Sequence, residues 1–570
     1  MRSASLACTT ALLLSLAPAF ETHAQTVAAA PATTLPAWPT IYPTAEHSVL
    51  ARSIEGLLAD PRVRRAHWGV AVTALDGTPL LGIHEAELFH PASVTKLFTT
   101  SAATAMLGAD RRFRTTLLMR GNIADGTLHG DLILQGGGDA NFAGSYTLPY
   151  RAPAPHATTP LATQPDASTL PDLDAFATQV AGHGITRIDG DILGDDRAFE
   201  DTPYGEGWSV DDVLWGYGAP ASALTVHDNQ LELTVTDAGE PRTPHLDTIT
   251  LTPAVPFYTV NQESANAPMP LGVWSGGYGQ NRILIERDPG SRDFRVVGNV
   301  AAEHGPARQK VAIDQPAAFA AAAMQQALEQ HGVSVSGRAH AVHWDSGFTG
   351  SLLAASRTPL PAADAMHLFQ AGSEAHCELS EAQAVPGTTQ LTEKLSPPLS
   401  EDVVLTLKDS VNLHAELMLR NLAAAKSCER TLRSGLQLER AYLTHAGLDP
   451  EDFVFYDGSG LSDKDLVTPR ATAQLLAYNA QQSWFPGWKS ALPIGGVDGT
   501  LFSRFTQAPL RGHVYAKTGT LGEANALAGY VDTHSGRSVI FVLMVDNHMP
   551  GSHAEREIMD RIVAAISASL

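Results

Sequence analysis

The apolar and polar positions divide the chain into stretches of distinct texture. Ser48 to Leu58 carries apolar residues at helical spacing, and Trp68 to Leu75 is a strand-like run that meets the turn dipeptide Asp76-Gly77 before Pro79 to Ile83. Pro91 suits the first turn of a helix, and the run to Leu107 is helix-compatible before Gly108 can cap it. From Phe113 the pattern changes to short alternating segments such as Thr115 to Arg120 and Asp131 to Leu134. A helical stretch from Leu173 to Gly184 leads to strand material at Ile188 to Leu193. Leu231 to Val235 and Arg282 to Ile285 belong to a small, mostly β module, after which Ala317 to Gly332 is helical and Val333 to Val342 reverts to strand. Long helices return with Val403 to Ala425. Three strands follow at His513 to Gly519, Ala526 to Asp532 and Ser538 to Val545, and then a closing helix from His553 to Ser567. The stretch between Asp110 and about Ser396 therefore reads as an insertion into a domain that opens near Ala45 and closes at the C-terminus.

Composition and charge narrow the class. Met1-Arg2-Ser3, the apolar run Ala4 to Phe20 and Thr22-His23-Ala24 read as a secretory signal with a small-x-small cleavage site, so the mature chain is expected to begin near Gln25. The run is too short to span a bilayer comfortably, and Cys8 stands too early for lipid attachment. Residues 25–44, with Pro31, Pro36, Pro39 and Pro43, read as a linker. Two further stretches, the proline-rich 147–171 and the poorly patterned 345–389, read as variable surface insertions. The formal charge of −22 argues against a nucleic-acid partner. Without Cys8, Cys377 and Cys428 remain, and an oxidising compartment favours a disulfide between them over two free thiols. None of the 22 histidines shows the His-Glu-x-x-His spacing, Gly136-Gly137-Gly138 lacks the residues of a phosphate loop, and no metal or cofactor is expected.

The candidate chemistry centres on Ser93-Val94-Thr95-Lys96. A spacing of three puts Ser93 and Lys96 on one face near a helix start, a nucleophile beside its base, provided burial and a second cation keep the lysine neutral. An isolated Ser-x-x-Lys is usually an ordinary helix start, so the rest of the chain has to support it. Lys517-Thr518-Gly519 holds the only Lys-Thr. Ser-x-Asn occurs twice, at Ser264-Ala265-Asn266 and Ser410-Val411-Asn412. The second lies in the helical texture of the domain that carries Ser93 and Lys517, and is the one chosen.

Ser-x-x-Lys, Ser-x-Asn and Lys-Thr-Gly in this order resemble the penicillin-binding proteins and serine β-lactamases. With Asp457-Gly458-Ser459-Gly460-Leu461-Ser462, Gly495 to Leu501 and Ala516 to Leu521, the chain resembles the class C low-molecular-mass penicillin-binding proteins, D-alanyl-D-alanine carboxypeptidases that are also endopeptidases. The resemblance runs from about Ala45 onward and departs at the two variable insertions and at Val411, where aspartate is commoner. It implies an α+β fold: a penicillin-binding transpeptidase-like domain, an antiparallel sheet with helical layers, that carries a large inserted, mainly β, two-domain region. The expected boundaries are 1–24 signal peptide, 25–44 linker, 45–110 and 396–570 peptidase domain, 111–235 and 314–395 second domain, and 236–313 nested third domain. It also implies Ser93 as nucleophile, Lys96 as base, Ser410 as proton carrier to the leaving amine, Lys517 as a fixed positive charge, and Asn412 as a hydrogen-bond partner of the substrate amide. Lys517, Thr518 and Gly519, on a strand edge, would receive the substrate's terminal carboxylate and backbone, and the N–H groups of Ser93 and Thr520 its oxyanion. Asp195, in an Asp-x-x-x-Phe segment, would read a diaminopimelate amino group, the alternative being a turn carboxylate. The implied partners are peptidoglycan peptides ending in D-Ala-D-Ala or cross-linked, and β-lactams as covalent inhibitors, in the periplasm, with a peripheral membrane contact left open. The rivals are a β-lactamase, which the large insertions disfavour, and a non-catalytic peptidoglycan-binding module.

Overall fold

The computed structural model describes residues 48–153, 169–236, 248–263, 282–300, 305–360, 368–369, 371–373 and 385–570. The signal and linker expectations, the centre of the proline-rich insertion, Ser264-Ala265-Asn266 and Cys377 lie outside them. Cys428 is disulfide-bonded. Among the described residues no helix is long and apolar enough to cross a membrane.

Five antiparallel strands form the first sheet, in the order Val514–Leu521, Ala524–Asp532, Ser538–Asp546, His67–Ala74, Pro79–Ile83. Its central strands are nearly continuous apolar runs because both faces are covered. Val70, Val72, Phe541 and Leu543 pack under the helices Ser48–Leu58 and Ala554–Ser569. Their alternates Ala71, Ile540, Val542 and Met544 face a second layer that includes Thr95–Leu107, Asn412–Lys426, Leu432–His445 and Pro469–Asn479. The register carries this second face across the sheet: Ala71 lies opposite Val542, Val542 opposite Ala528, and Ala528 opposite Lys517. Lys517 therefore points, from the edge strand, toward the helical layer that holds Lys96.

The chain leaves this layer along Arg114–Ala124 and returns beside it, antiparallel, along Thr388–Leu395. Both strands belong to a seven-stranded mixed sheet covered by the helices Pro171–Gly182 and Pro316–Gln330, with a hydrophobic core of its own. Two three-stranded sheets complete the described part of this region. One feature departs from the sequence reading. The helical segment expected over Val403 to Ala425 is two helices, Leu399–Lys408 and Asn412–Lys426, and Ser410 between them sits at φ +60°. A non-glycine residue there is strained. The break turns Ser410 out of the helical layer and leaves Asn412 as the first residue of a helix.

Candidate active site

Ser93 lies in a single 3-10 turn, Ala92–Val94, that runs into the helix Thr95–Leu107, and Ala92 before it is held at φ +46°. Two glycines let other segments approach this turn. A Cβ on Gly519 would stand 2.5 Å from the Pro91 carbonyl oxygen, and one on Gly460 1.8 Å from that of Ala92. The glycine of Lys-Thr-Gly is thus needed to seat the edge strand against the Ser93 turn.

Lys96 is fully buried. Its Nζ lies 2.8 Å from Ser93 Oγ, 2.6 Å from Asn412 Oδ1 and 2.7 Å from the Ser459 carbonyl oxygen. Burial pushes its pKa down to about 7, against the opposing pull of the Asp457, Glu416 and Asp465 carboxylates. Across the site Lys517 Nζ donates to Ser410 Oγ and to the Thr518 carbonyl, both at 2.8 Å. Burial, reinforced by the charge of Lys96, also pushes Lys517 well below the usual lysine range. Burial thus acts on both lysines in the same direction. Carboxylates oppose it at Lys96, whereas the described hydrogen-bond partners of Lys517 are a hydroxyl and a carbonyl oxygen.

The structure brings together Ser93, Lys96, Ser410, Asn412, Lys517, Thr518 and Gly519, and Thr520 follows on the same edge strand. Thr518 Oγ1 donates to Thr500 Oγ1 at 2.8 Å, and Thr520 Oγ1 to Asn525 Oδ1 at 3.2 Å. Asn412 Oδ1 accepts from Lys96 Nζ, and its Nδ2 donates to the Tyr217 carbonyl at 2.8 Å, which leaves a second lone pair and a second N–H on the amide. Asp195 stands apart from this cluster. It is fully buried at the end of a strand in the seven-stranded sheet, and Arg197 donates to both its oxygens at 2.9 Å. A carboxylate so engaged is an internal ion pair, and it shares no hydrogen bond with the cluster.

Three contributors were not assigned from sequence. Thr500 stands within the Gly495 to Leu501 stretch, and its neighbour Asp498 accepts twice from Lys408 Nζ in a buried pair, at 2.8 and 2.7 Å. That pair ties the Thr500 turn to the helix leading into Ser410. The carbonyls of Ser459 and Tyr217 could not have been found from side-chain patterns, because backbone acceptors have no sequence signature. Tyr217 also lines, with Ser410, Val411 and Asn412, a cleft of about 640 Å³.

A serine in hydrogen-bond contact with a buried lysine, beside a second Ser–Lys pair whose lysine lies on an edge strand, is the side-chain arrangement of a serine-type acyl-transfer enzyme. The model of the D-Ala-D-Ala carboxypeptidase 3 (S13) family matches residues 50–363 and 349–569, and the chain belongs to that family. A D-alanyl-D-alanine carboxypeptidase of Actinomadura sp. (strain R39) is 29% identical over 525 residues, 88% of this chain and 81% of that one. The D-alanyl-D-alanine carboxypeptidase DacB of Haemophilus influenzae is 25% identical over 468 residues, 81% of each chain. The crystal structure of penicillin binding protein 4 (dacB) from Haemophilus influenzae superimposes with a TM-score of 0.68 at 22% identity, covering 90% of this chain and 98% of that one, and shows the same fold. A second structure of that protein, complexed with a β-lactam, gives a TM-score of 0.63.

Proposed function

We propose that this serine-type D-Ala-D-Ala carboxypeptidase is exported to the periplasm, acts on peptidoglycan peptides as carboxypeptidase and endopeptidase, and uses Ser93 as nucleophile and Lys96 as base. The geometry of the Lys96 amine carries the reading. A neutral amine has two N–H bonds and one lone pair. Asn412 Oδ1 and the Ser459 carbonyl take the two N–H bonds, and the lone pair is left for the proton of Ser93 Oγ, 2.8 Å away. Ser93 then attacks the carbonyl carbon of the D-Ala-D-Ala bond, and the carbon–nitrogen bond breaks. The proton that Lys96 has taken passes by way of Ser410, hydrogen-bonded to Lys517, to the departing amine; water then attacks the ester with neutral Lys96 again as base, and that proton returns to Ser93. The N–H groups of Ser93 and Thr520 hold the oxyanion.

The two depressed lysines give substrate binding a role in this scheme. A terminal carboxylate docked at Lys517, Thr518 and Thr500 stabilises the ammonium form of Lys517, and that charge further disfavours protonation of Lys96. The substrate thus favours the charged form of one lysine and the neutral form of the other. The outer edge of Val514–Leu521 is bridged by Ile494 at Tyr515, and beyond Ala516 no described strand pairs with it, so the peptide can add there as a further strand. β-Lactams would acylate Ser93 by the same attack. In the proposed organisation, residues 45–110 and 396–570 form the peptidase domain, 111–235 and 314–395 the second domain, and 236–313 the third.

The test is Ser93→Ala, which removes one hydroxyl from a half-buried turn. Covalent labelling by a fluorescent penicillin and D-alanine release from a D-Ala-D-Ala peptide should both vanish with the melting temperature unchanged. Surviving label would remove Ser93 as nucleophile. Rapid turnover of penicillin by the wild type, without D-alanine release, would identify a β-lactamase instead, and cleavage of a cross-linked dimer peptide measures the endopeptidase share.

A further inference from the structure

Away from the catalytic cluster, the first hairpin gathers three side chains with metal-binding chemistry. His67 opens the strand His67–Ala74, His84 follows the strand Pro79–Ile83, and Glu87 closes the next turn, its N–H donating to the His84 carbonyl at 3.1 Å. One nitrogen or oxygen atom from each lies within 4.8 Å of the other two. His84 Nδ1 stands 2.8 Å from the Trp68 carbonyl oxygen. A carbonyl only accepts, so Nδ1 carries the hydrogen and the lone pair is on Nε2, the arrangement by which an outer hydrogen bond orients a metal-ligating imidazole. His67 Nε2 lies 3.0 Å from Glu87 Oε2, and its ring is held flat against Phe89, centroids 4.5 Å apart. His84 is kept at φ +47°, a conformation costly for a non-glycine residue.

We infer that His67, His84 and Glu87 form a binding site for a divalent transition metal of the zinc class. Two imidazole nitrogens and one carboxylate oxygen suit that ion, and the exposure of His84 and Glu87 leaves room for water to complete four-coordination. The two imidazole rings lie face to face, 5.3 Å apart and 21° from parallel. Metal uptake therefore turns the exposed His84 ring about its Trp68 bond, bringing Nε2 toward His67, and the ion takes the place of the proton between His67 and Glu87. The bound ion would pin the turn at 84–87 to the sheet, on the segment that leads to Phe89 and the Ser93 turn. Linear spacing gave no hint of the site, because the hairpin pairing and not the sequence interval brings His67 to His84.

Calorimetric titration of the untagged, purified full chain with zinc chloride should show one site of micromolar affinity and a rise in melting temperature. His84→Asn, which tolerates the left-handed backbone, and Glu87→Gln should each weaken binding at least tenfold, with penicillin acylation unchanged. Absence of saturable binding, or equal affinity in both variants and the wild type, would overturn the assignment. Loss of acylation in the wild type would count against the proposed function and leave the metal site standing.

Discussion

Lys96→Arg keeps the charge of the residue and removes its ability to act as a base. With a pKa of about 7 for Lys96, roughly half of the free protein carries the neutral amine at pH 7, and the neutral fraction falls about tenfold for each unit well below that. Arginine does not deprotonate in this range. Loss of a positioned general base costs about 10²- to 10⁴-fold in rate, or about 3–5 kcal/mol in the barrier. The larger planar group must also fit among Ser93 Oγ, Asn412 Oδ1 and the Ser459 carbonyl, all within 2.8 Å of the present nitrogen. Lys517→Arg preserves a cation for the substrate carboxylate and should retain part of the rate. Acylation by one labelled β-lactam, followed from pH 5 to 9, should rise through pH 7 in the wild type and rank wild type above Lys517→Arg above Lys96→Arg. A flat wild-type profile between pH 5 and 8, or a faster Lys96→Arg enzyme, would refute Lys96 as the base.

Asn412→Ala deprives a buried amine of its 2.6 Å acceptor and severs the bond to Tyr217. Acylation should fall about 10- to 100-fold, for a loss of about 1.5–3 kcal/mol, while Asn266→Ala acylates normally; the reverse order would show that the wrong Ser-x-Asn was chosen. Gly519→Ala places a methyl 2.5 Å from the Pro91 carbonyl; acylation should drop at least tenfold with little change in far-ultraviolet circular dichroism, and full activity would show that the edge strand is free to move. His414, fully buried, is bonded at Nε2 to Asp228 at 2.8 Å and at Nδ1 to Asp402. Both carboxylates accept, so the ring is doubly protonated, and its pKa is raised to about 10: burial, which lowers it, is outweighed by the charge of and hydrogen bonds to Asp402 and Asp228. A raised folded-state value gives stability that is full below the unfolded value of about 6.5 and is lost as pH rises through 10. His414→Gln should therefore cost about 3–5 kcal/mol at pH 6, measured by chemical denaturation, with the difference from wild type shrinking above pH 10; a constant difference would show that the ring is not charged.

The sequence alone made legible the first hairpin, the helix after Ser93, the three C-terminal strands and the closing helix, and with them Ser93, Lys96, Lys517 and Thr518. Ser93 and Lys96 sit three apart on a helix start, where local geometry already makes them neighbours, and Lys517-Thr518 sits in an apolar run that has to be a strand. These signals are local, so a single chain displays them. What only the tertiary structure decided is non-local. The strand register points Lys517 at the helical layer, and the break at Ser410 interrupts a stretch whose apolar pattern is continuous. The pairing of Asp195 with Arg197 is two residues long in sequence, yet its meaning depends on burial inside a sheet that the pattern does not reveal. Asn412 is drawn to a backbone carbonyl of Tyr217, a group every residue possesses. The charge balance of the two lysines depends on how much water the fold excludes and which carboxylates it buries nearby, and desolvation is a property of the packed molecule, not of any residue in it.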